Sequence, residues 1–234
     1  MPAPLLVIDA PSLLYRAFFA LPQSITDDDD RPVNALLGMA NLVLFAVERH
    51  APRAVVLCFG AEAAHYRKQL FEPYHADRPP MPEELERQWA DAPAFFGAFG
   101  WQTLSDGALE ADDLLGSLAK VEHAAGGDVL LFTGDRDMFQ CVNDHVTVLF
   151  ARGGKDGPEV VGPDEVRDRA AEWRLRRALG IDVDPLVVAR DGREPVDVLL
   201  RDLVPVADAE LLADLRAHLL EAVDREHGRQ LRRQ

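Results

Sequence analysis

Six carboxylates are spaced so that they could act together. Asp9 closes the apolar run Leu5-Leu6-Val7-Ile8, and Glu110, Asp112 and Asp113 fall together just before an amphipathic stretch. Asp135 and Asp137 flank Arg136 in Thr133-Gly134-Asp135-Arg136-Asp137. Oxygen ligands of this kind suit hard divalent cations such as Mg²⁺ or Mn²⁺, and because Mg²⁺ keeps several waters, a few carboxylates suffice. Two such ions about 4 Å apart can activate an attacking water and stabilise the leaving oxygen of a phosphate ester. Taken singly, each acid has a plainer reading. An acid at a helix start caps the helix or meets its dipole, and Gly-Asp after a strand makes a turn. Both readings stay open until the elements that carry the acids are placed.

Leu5 to Asp9 is apolar up to its final acid, the pattern of a strand buried on both faces of a parallel sheet. Arg53 to Phe59, Trp101 to Leu104, Asp128 to Thr133 and His145 to Phe150 read the same way. Between them, Asn34 to Arg49 brings Leu36, Met39, Val43 and Val47 near one helical face, and Glu110 to Val121 does so with Leu114, Leu115, Leu118 and Val121. The alternation predicts an α/β fold with a mostly parallel sheet, whose ligands bind beyond the carboxyl ends of the strands. Strand ends and helix starts share that edge, so all six acids could meet there. Residues 61–89 break the alternation with interleaved aromatic and basic residues, followed by Pro79-Pro80-Met81-Pro82 and a new helix. Asp27 to Asp30 reads as a solvated loop, and a turn-rich stretch near Gly153-Gly154 and Gly157-Pro158 closes the α/β part. From Asp164 the chain is Arg-rich and helical in character, broken at Pro185, Pro195 and Pro205.

The chain has 234 residues, enough for one or two domains, with 48% hydrophobic and 28% charged residues, as expected of a folded protein. Its apolar runs fall far short of the roughly 20 residues that a membrane span needs. Cys58 and Cys141 cannot build a disulfide framework or a zinc site, and no export signal opens the chain. A reduced, cytoplasmic protein is expected. The net charge of −15 argues at first against nucleic acid. Residues 1–165, however, hold 12 Lys and Arg against 26 Asp and Glu, while residues 166–234 hold 13 against 14. The excess acid lies where the carboxylate constellation lies, and bound divalent cations would reverse its local sign.

Several ordered segments carry a resemblance: Leu5 to Pro22 (LLVIDAPSLLYRAFFALP), Asn34 to Met39 (NALLGM), Tyr66-Arg67, Tyr74 to Pro82 (YHADRPPMP), Glu110-Ala111-Asp112-Asp113 and Thr133 to Asp137 (TGDRD). Together, over roughly residues 5–165, they resemble the 5′→3′ exonuclease and flap endonuclease family, most of all the 5′ nuclease domain of bacterial DNA polymerase I and its free-standing relatives. The resemblance implies a PIN-like α/β fold over residues 1–165 with an arch at about 61–89, and a C-terminal helical segment over 166–234. It implies a divalent-metal site, with Mg²⁺ or Mn²⁺ held by Asp9, Glu110, Asp112, Asp113, Asp135 and Asp137. Arg16 and Arg67 become candidate ligands of the scissile phosphate or the 5′ strand. Tyr66, Tyr74, His75 and Arg78 of the arch become candidate nucleic-acid contacts, by stacking and phosphate pairing. The implied partner is DNA with a 5′ flap or a free 5′ end, and the implied work is hydrolysis in replication and repair.

Three departures qualify that expectation. Where the family commonly has Phe-Asp after the second strand, this chain has Phe59-Gly60, so a restored acid at position 60 is expected to raise the rate. Where the family commonly has Lys after the arch tyrosine, this chain has His75. From Ala170 to Gln234 there is neither the family's Asp-x-x-Asp pair with its usual surroundings nor a glycine-rich helix-hairpin-helix. The metal held by Asp9, Glu110 and Asp113 is expected to outlast one that relies on Asp135 and Asp137, and cleavage is expected to favour Mn²⁺. A nuclease-fold protein that binds flap or single-stranded DNA with little catalysis is the alternative, and an RNA-directed PIN-type nuclease or a phosphate-binding module is a third.

Overall fold

The computed structural model describes residues 3–74, 78–152 and 157–178. His75 and residues 179–234, in which the C-terminal expectations mostly fall, lie outside the described residues. A six-stranded sheet runs in the order β3-β2-β1-β4-β5-β6. Its strands are β1 (Leu5–Asp9), β2 (Ala54–Gly60), β3 (Gln102–Asp106), β4 (Val129–Thr133), β5 (Val146–Phe150) and β6 (Glu159–Val161). The first five are parallel and β6 is antiparallel to β5. The sequence reading ended the sheet at β5 and placed only a turn-rich stretch after it. Three residues, of which Val160 is exposed and Val161 buried, are too short to carry a period of their own.

Side chains alternate across the sheet and build two cores. Leu6, Ile8, Leu57, Phe59, Phe132 and Leu149 face one layer, made by α1 (Ala10–Ala20), α2 (Asn34–His50) and α4 (Glu83–Gly97). Leu5, Val7, Val56, Cys58, Leu131 and Val148 face the other, made chiefly by α5 (Ala111–Ala124). Between β2 and α4 lies the short α3 (His65–Leu70), and α6 (Pro163–Ala178) follows β6. No helix among the described residues is long and apolar enough to cross a membrane.

The sheet order fixes where a ligand can bind. The chain first adds β2 and β3 on one side of β1, then crosses to add β4 and β5 on the other. The crevice between the carboxyl ends of β1 and β4 is therefore the topological switch point, the usual binding edge of such sheets.

The helix layer beside this crevice is held by one buried polar network. Helix α2 starts after Val33, which offers no side-chain cap. Its first amides are satisfied from α4 instead: Gln88 Oε1 accepts from the Ala35 N–H at 2.8 Å and the Leu36 N–H at 3.3 Å. Gln88 Nε2 donates to Asn34 Oδ1 at 3.2 Å, and Asn34 Nδ2 donates to the carbonyls of Phe18 and Leu21, at the end of α1. Three helices are thus pinned by two fully buried amides. Replacing Gln88 by Leu leaves these donors and acceptors unpaired, and urea denaturation should show a loss on the order of 2–4 kcal/mol. A loss no larger than that of an ordinary surface substitution would mean that Gln88 is not the cap of α2.

Candidate active site

β1 runs into α1 without a loop, and Asp9 stands at the junction. Its Oδ1 accepts from the Ser12 N–H at 3.1 Å, so it caps α1, whose first turn carries Pro11 in the position that needs no donor. Its Oδ2 accepts from the Thr133 hydroxyl at 2.6 Å across the switch point. That same hydroxyl accepts from the Asp135 N–H at 2.9 Å, and the Gly134 N–H donates to Ser12 Oγ at 2.9 Å. The turn that follows β4 is thereby stitched to the turn that follows β1. A Cβ at Gly134 would meet Ser12 Oγ at 2.8 Å, so a side chain there would push that hydroxyl aside. Asp137 follows through its N–H, which donates to Asp135 Oδ1 at 2.8 Å. Asp9 is buried, whereas Asp135 and Asp137 stand at the surface. A carboxylate has about four lone-pair sites, so Asp9 keeps acceptor capacity beyond its two bonds.

The third group arrives on α5, which Glu110 precedes as N-cap and whose start is secured by Asp113 Oδ2 accepting from the Glu110 N–H at 3.0 Å. This helix start lies directly on Gly60. The Ala61 N–H donates to the Leu109 carbonyl at 2.8 Å. A Cβ built on Gly60 would sit 2.4 Å from the Ala111 nitrogen and 2.5 Å from the Glu110 carbonyl carbon. The expectation that an acid at position 60 would repair the site is therefore corrected. The glycine is what lets the backbone of residues 109–111 close on the end of β2, and backbone cannot move aside as a flexible side chain can.

The acids differ in what surrounds them. Burial pushes the Asp9 carboxyl up to about 6 against the bonds from Thr133 and Ser12, with the Asp135 charge adding to the rise. Asp112 is pushed up to about 8, by burial first, then by the charges of Asp9 and Asp135. Asp137 is raised by desolvation and then by Asp135. Asp9, Asp112, Asp135 and Asp137 thus crowd one region and repel one another. Glu110 and Asp113 are tied instead to α3 and the turn after it. Tyr66 and Arg67 bond Asp113, the latter at 2.7 Å, and Tyr74 donates to Glu110 Oε2 at 2.8 Å. Asp112 links the two groups, because it feels the charges of Asp9 and Asp135 on one side and of Arg67 and Glu110 on the other.

Of the expected phosphate ligands, Arg16 borders a shallow hollow with Ser12, Tyr15, Phe19 and Gly134, next to the stitched turns. Arg67 lies beside Asp113 and Glu110, whose two carboxylates hold it charged, above its ordinary range, although burial pulls the other way. Arg78 is exposed, with its guanidinium over the Tyr15 ring at 5.9 Å. Thr133 and Ser12 are positioning residues that the sequence does not single out, and Gly60, which it marks as a missing acid, is the seat of α5. The signal for the first two lay in being neighbours, in sequence or at a strand end, of the candidate acids.

Among the described residues no three His, Cys, Asp or Glu side chains close around a point as a metal cage would. The donor set is nevertheless all oxygen, lies at the switch point and carries more negative charge than the protein neutralises. Those properties fit a hydrated hard cation, which needs only a few carboxylates and water.

Residues 4–171 match the family described as 5′-3′ exonuclease, N-terminal resolvase-like domain. The chain belongs to that family. Its curated relatives include the thermostable DNA polymerase I of Thermus thermophilus, 37% identical over 174 residues that cover 74% of this chain and 21% of that protein. The DNA polymerase I of Pseudomonas aeruginosa is 36% identical over 173 residues, covering 71% and 19%. The chain therefore spans only about a fifth of the length of these relatives. In solved structures the fold is shared with the bacteriophage T5 5′-exonuclease bound to divalent metal ions (zinc). There the TM-score is 0.55 at 13% identity, covering 95% of this chain and 87% of that one. It is also shared with a T5 protein co-crystallised with metal ions, at a TM-score of 0.54 and 14% identity, covering 84% and 73%. Family membership accounts for the mostly parallel, PIN-like sheet flanked by helices.

Two outcomes follow from the site's geometry. Gly60→Ala and Gly60→Asp should both lower stability, by about 1–3 kcal/mol for the overpacking alone, and neither should raise metal affinity. Wild-type stability for Gly60→Asp would show that the backbone approach is not a constraint. The acids also set a pH dependence. Asp9 and Asp112 lie above their ordinary 3.8 in the folded protein. The stability they contribute is thus fully present below about pH 4 and is lost as pH rises through about 6 and then about 8, in total on the order of a few kcal/mol. In EDTA the melting temperature of the wild type should fall across this window more steeply than that of Asp112→Asn, and millimolar Mg²⁺ or Mn²⁺ should flatten the fall. Equal slopes for the two proteins, with no metal effect, would remove Asp112 from the repelling set.

Proposed function

We propose that this chain is a divalent-metal-dependent 5′ nuclease that hydrolyses DNA phosphodiesters near a free 5′ end or a flap junction. The observation that carries the reading is the convergence of Asp9, Asp112, Asp135 and Asp137 at the switch point. Burial and mutual repulsion raise their pKa values there, and a cation would relieve that repulsion and displace the protons. Mg²⁺ or Mn²⁺ would be held by these four, with Glu110 and Asp113 beside them, and when bound would supply an activated water and charge neutralisation at phosphorus. Thr133 and Ser12 fix the direction of Asp9. Arg16, at the hollow beside Gly134, and Arg67 pair with the phosphates of the 5′ strand, while Tyr66, Tyr74, His75 and Arg78 contact the strand where it crosses the arch. The carboxylates hold cations and do not themselves take the proton of the attacking water. Residues 1–165 act as the nuclease domain, with its arch at about 61–89.

A second reading, a DNA-binding protein with little catalysis, is favoured by one observation: Gly60 contributes no carboxylate and has no room for one.

A gel assay on 5′-labelled flap, nicked and single-stranded DNA separates the two. Cleavage should require Mg²⁺ or Mn²⁺, stop in EDTA, and fall about a hundredfold or more in Asp9→Asn and Asp112→Asn, since each removes charge from the metal's surroundings. Undiminished cleavage in EDTA would end the metal reading. Flap binding in EDTA with no cleavage in either metal would establish the binder.

A further inference from the structure

Glu110 and Asp113 are not waiting empty. Asp113 Oδ1 accepts from Arg67 Nη2 at 2.7 Å and from the Tyr66 hydroxyl at 2.9 Å, and its Oδ2 is 3.0 Å from both that hydroxyl and the Glu110 N–H. Glu110 Oε1 accepts from the Ala64 N–H at 2.7 Å, and Oε2 from the Tyr74 hydroxyl at 2.8 Å, with Arg67 Nε 3.7 Å away. The guanidinium is itself fixed, because Arg67 Nε donates to the Tyr66 hydroxyl at 2.9 Å and the group lies over both tyrosine rings, at 5.6 and 5.8 Å. Apart from the Glu110 N–H, every one of these donors comes from residues 64–74.

Of residues 64–74 only Ala64 is buried. None of the six residues of α3 is buried, its N-cap Ala64 makes no side-chain cap bond, and Leu70 and Phe71 at its end are 82% and 61% exposed. A helix without an apolar face in the core is secured by its polar contacts, and an element of that kind opens locally at small cost.

We propose that residues 64–74 form a latch in which the Arg67 guanidinium occupies, as an internal cation, the two carboxylates that a divalent ion competes for. The inference rests on the metal reading above and adds the order of events. Two carboxylates facing one guanidinium keep a net negative charge, which a divalent ion neutralises and a single arginine does not. Metal that takes Glu110 and Asp113 displaces Arg67 and the two tyrosine hydroxyls, and turns them into free donors at the mouth of the site. A phosphate of the substrate strand that takes Arg67 in turn leaves the carboxylates to the metal. By linkage, each event strengthens the other by the same factor.

The test measures Mn²⁺ binding to the full chain by titration calorimetry, for the wild type, for Tyr66→Phe/Tyr74→Phe and for Arg67→Lys, with folding checked by circular dichroism. Removing two competing hydroxyls should raise Mn²⁺ affinity about tenfold, the ordinary scale of charge-assisted hydrogen bonds given back to a competitor. Arg67→Lys, which cannot reproduce the forked contacts, should raise it as well. Mn²⁺ should speed tryptic cleavage after Lys68 in the wild type, and the double variant should already be cut quickly without metal. If Mn²⁺ binds the wild type but both variants bind it equally or more weakly, with cleavage indifferent to metal, the contacts only support the site and the latch is wrong. If Mn²⁺ binds none of the proteins, the metal reading fails and the latch falls with it.

Discussion

One buried hydroxyl joins the two halves of the sheet where the chemistry is placed. Thr133 donates to Asp9 from the end of β4 and accepts from the Asp135 amide with the same oxygen. An acid at the end of β1 and an acid after β4, separated by more than 120 residues of chain, are held in one relation by that single atom. The relation is stiff because there is no slack on either side. β1 passes directly into α1, and the turn after β4 is tied back to α1 by the Gly134 amide on Ser12. Burying the Asp9 carboxylate costs free energy, visible as its raised pKa. That cost is tolerable because both of its oxygens are hydrogen-bonded.

The second constraint is a close approach of backbones. Helix α5 can bring Glu110, Asp112 and Asp113 to the crevice only by resting its first turn on the end of β2, and position 60 has to be glycine for that contact to close. Position 60 thus serves either as a ligand-bearing site or as a seat for α5, and in this chain it is the seat. The consequence reaches the electrostatics. With α5 drawn in, Asp112 lies near Asp9 and Asp135, which makes it the most strongly raised carboxyl of the acid set.

The parallel strands were legible because burial on both faces leaves uninterrupted apolar runs, and each of β1, β2, β4 and β5 lies within a residue of where its run predicts. The positions of Asp9 at the end of β1 and of Glu110, Asp112 and Asp113 at the start of α5 were legible from the same runs. What stayed hidden were relations between distant residues. No local pattern says that Gln88 caps α2 from more than 50 residues away. None says that Gly60 is small for the sake of Ala111, or that Arg67 pairs with Asp113 in place of phosphate. A period describes one element, whereas these contacts depend on how two elements meet.

The charge distribution explains why the order of binding matters in a molecule of this composition. Residues 1–165 hold more than twice as many acids as Lys and Arg, so a polyanion would meet net repulsion over this part of the chain. The local cations are few, and the one nearest the carboxylates, Arg67, is neutralised by them. A polyanion approaching the metal-free site would meet the repelling set of Asp9, Asp112 and Asp135 together with an arginine already spoken for. In the proposed latch, divalent cations would change both terms at once: they would cancel the carboxylates and free the arginine that the carboxylates hold. On the proposed function, the acidity that argues against nucleic acid on composition alone would make DNA affinity conditional on metal.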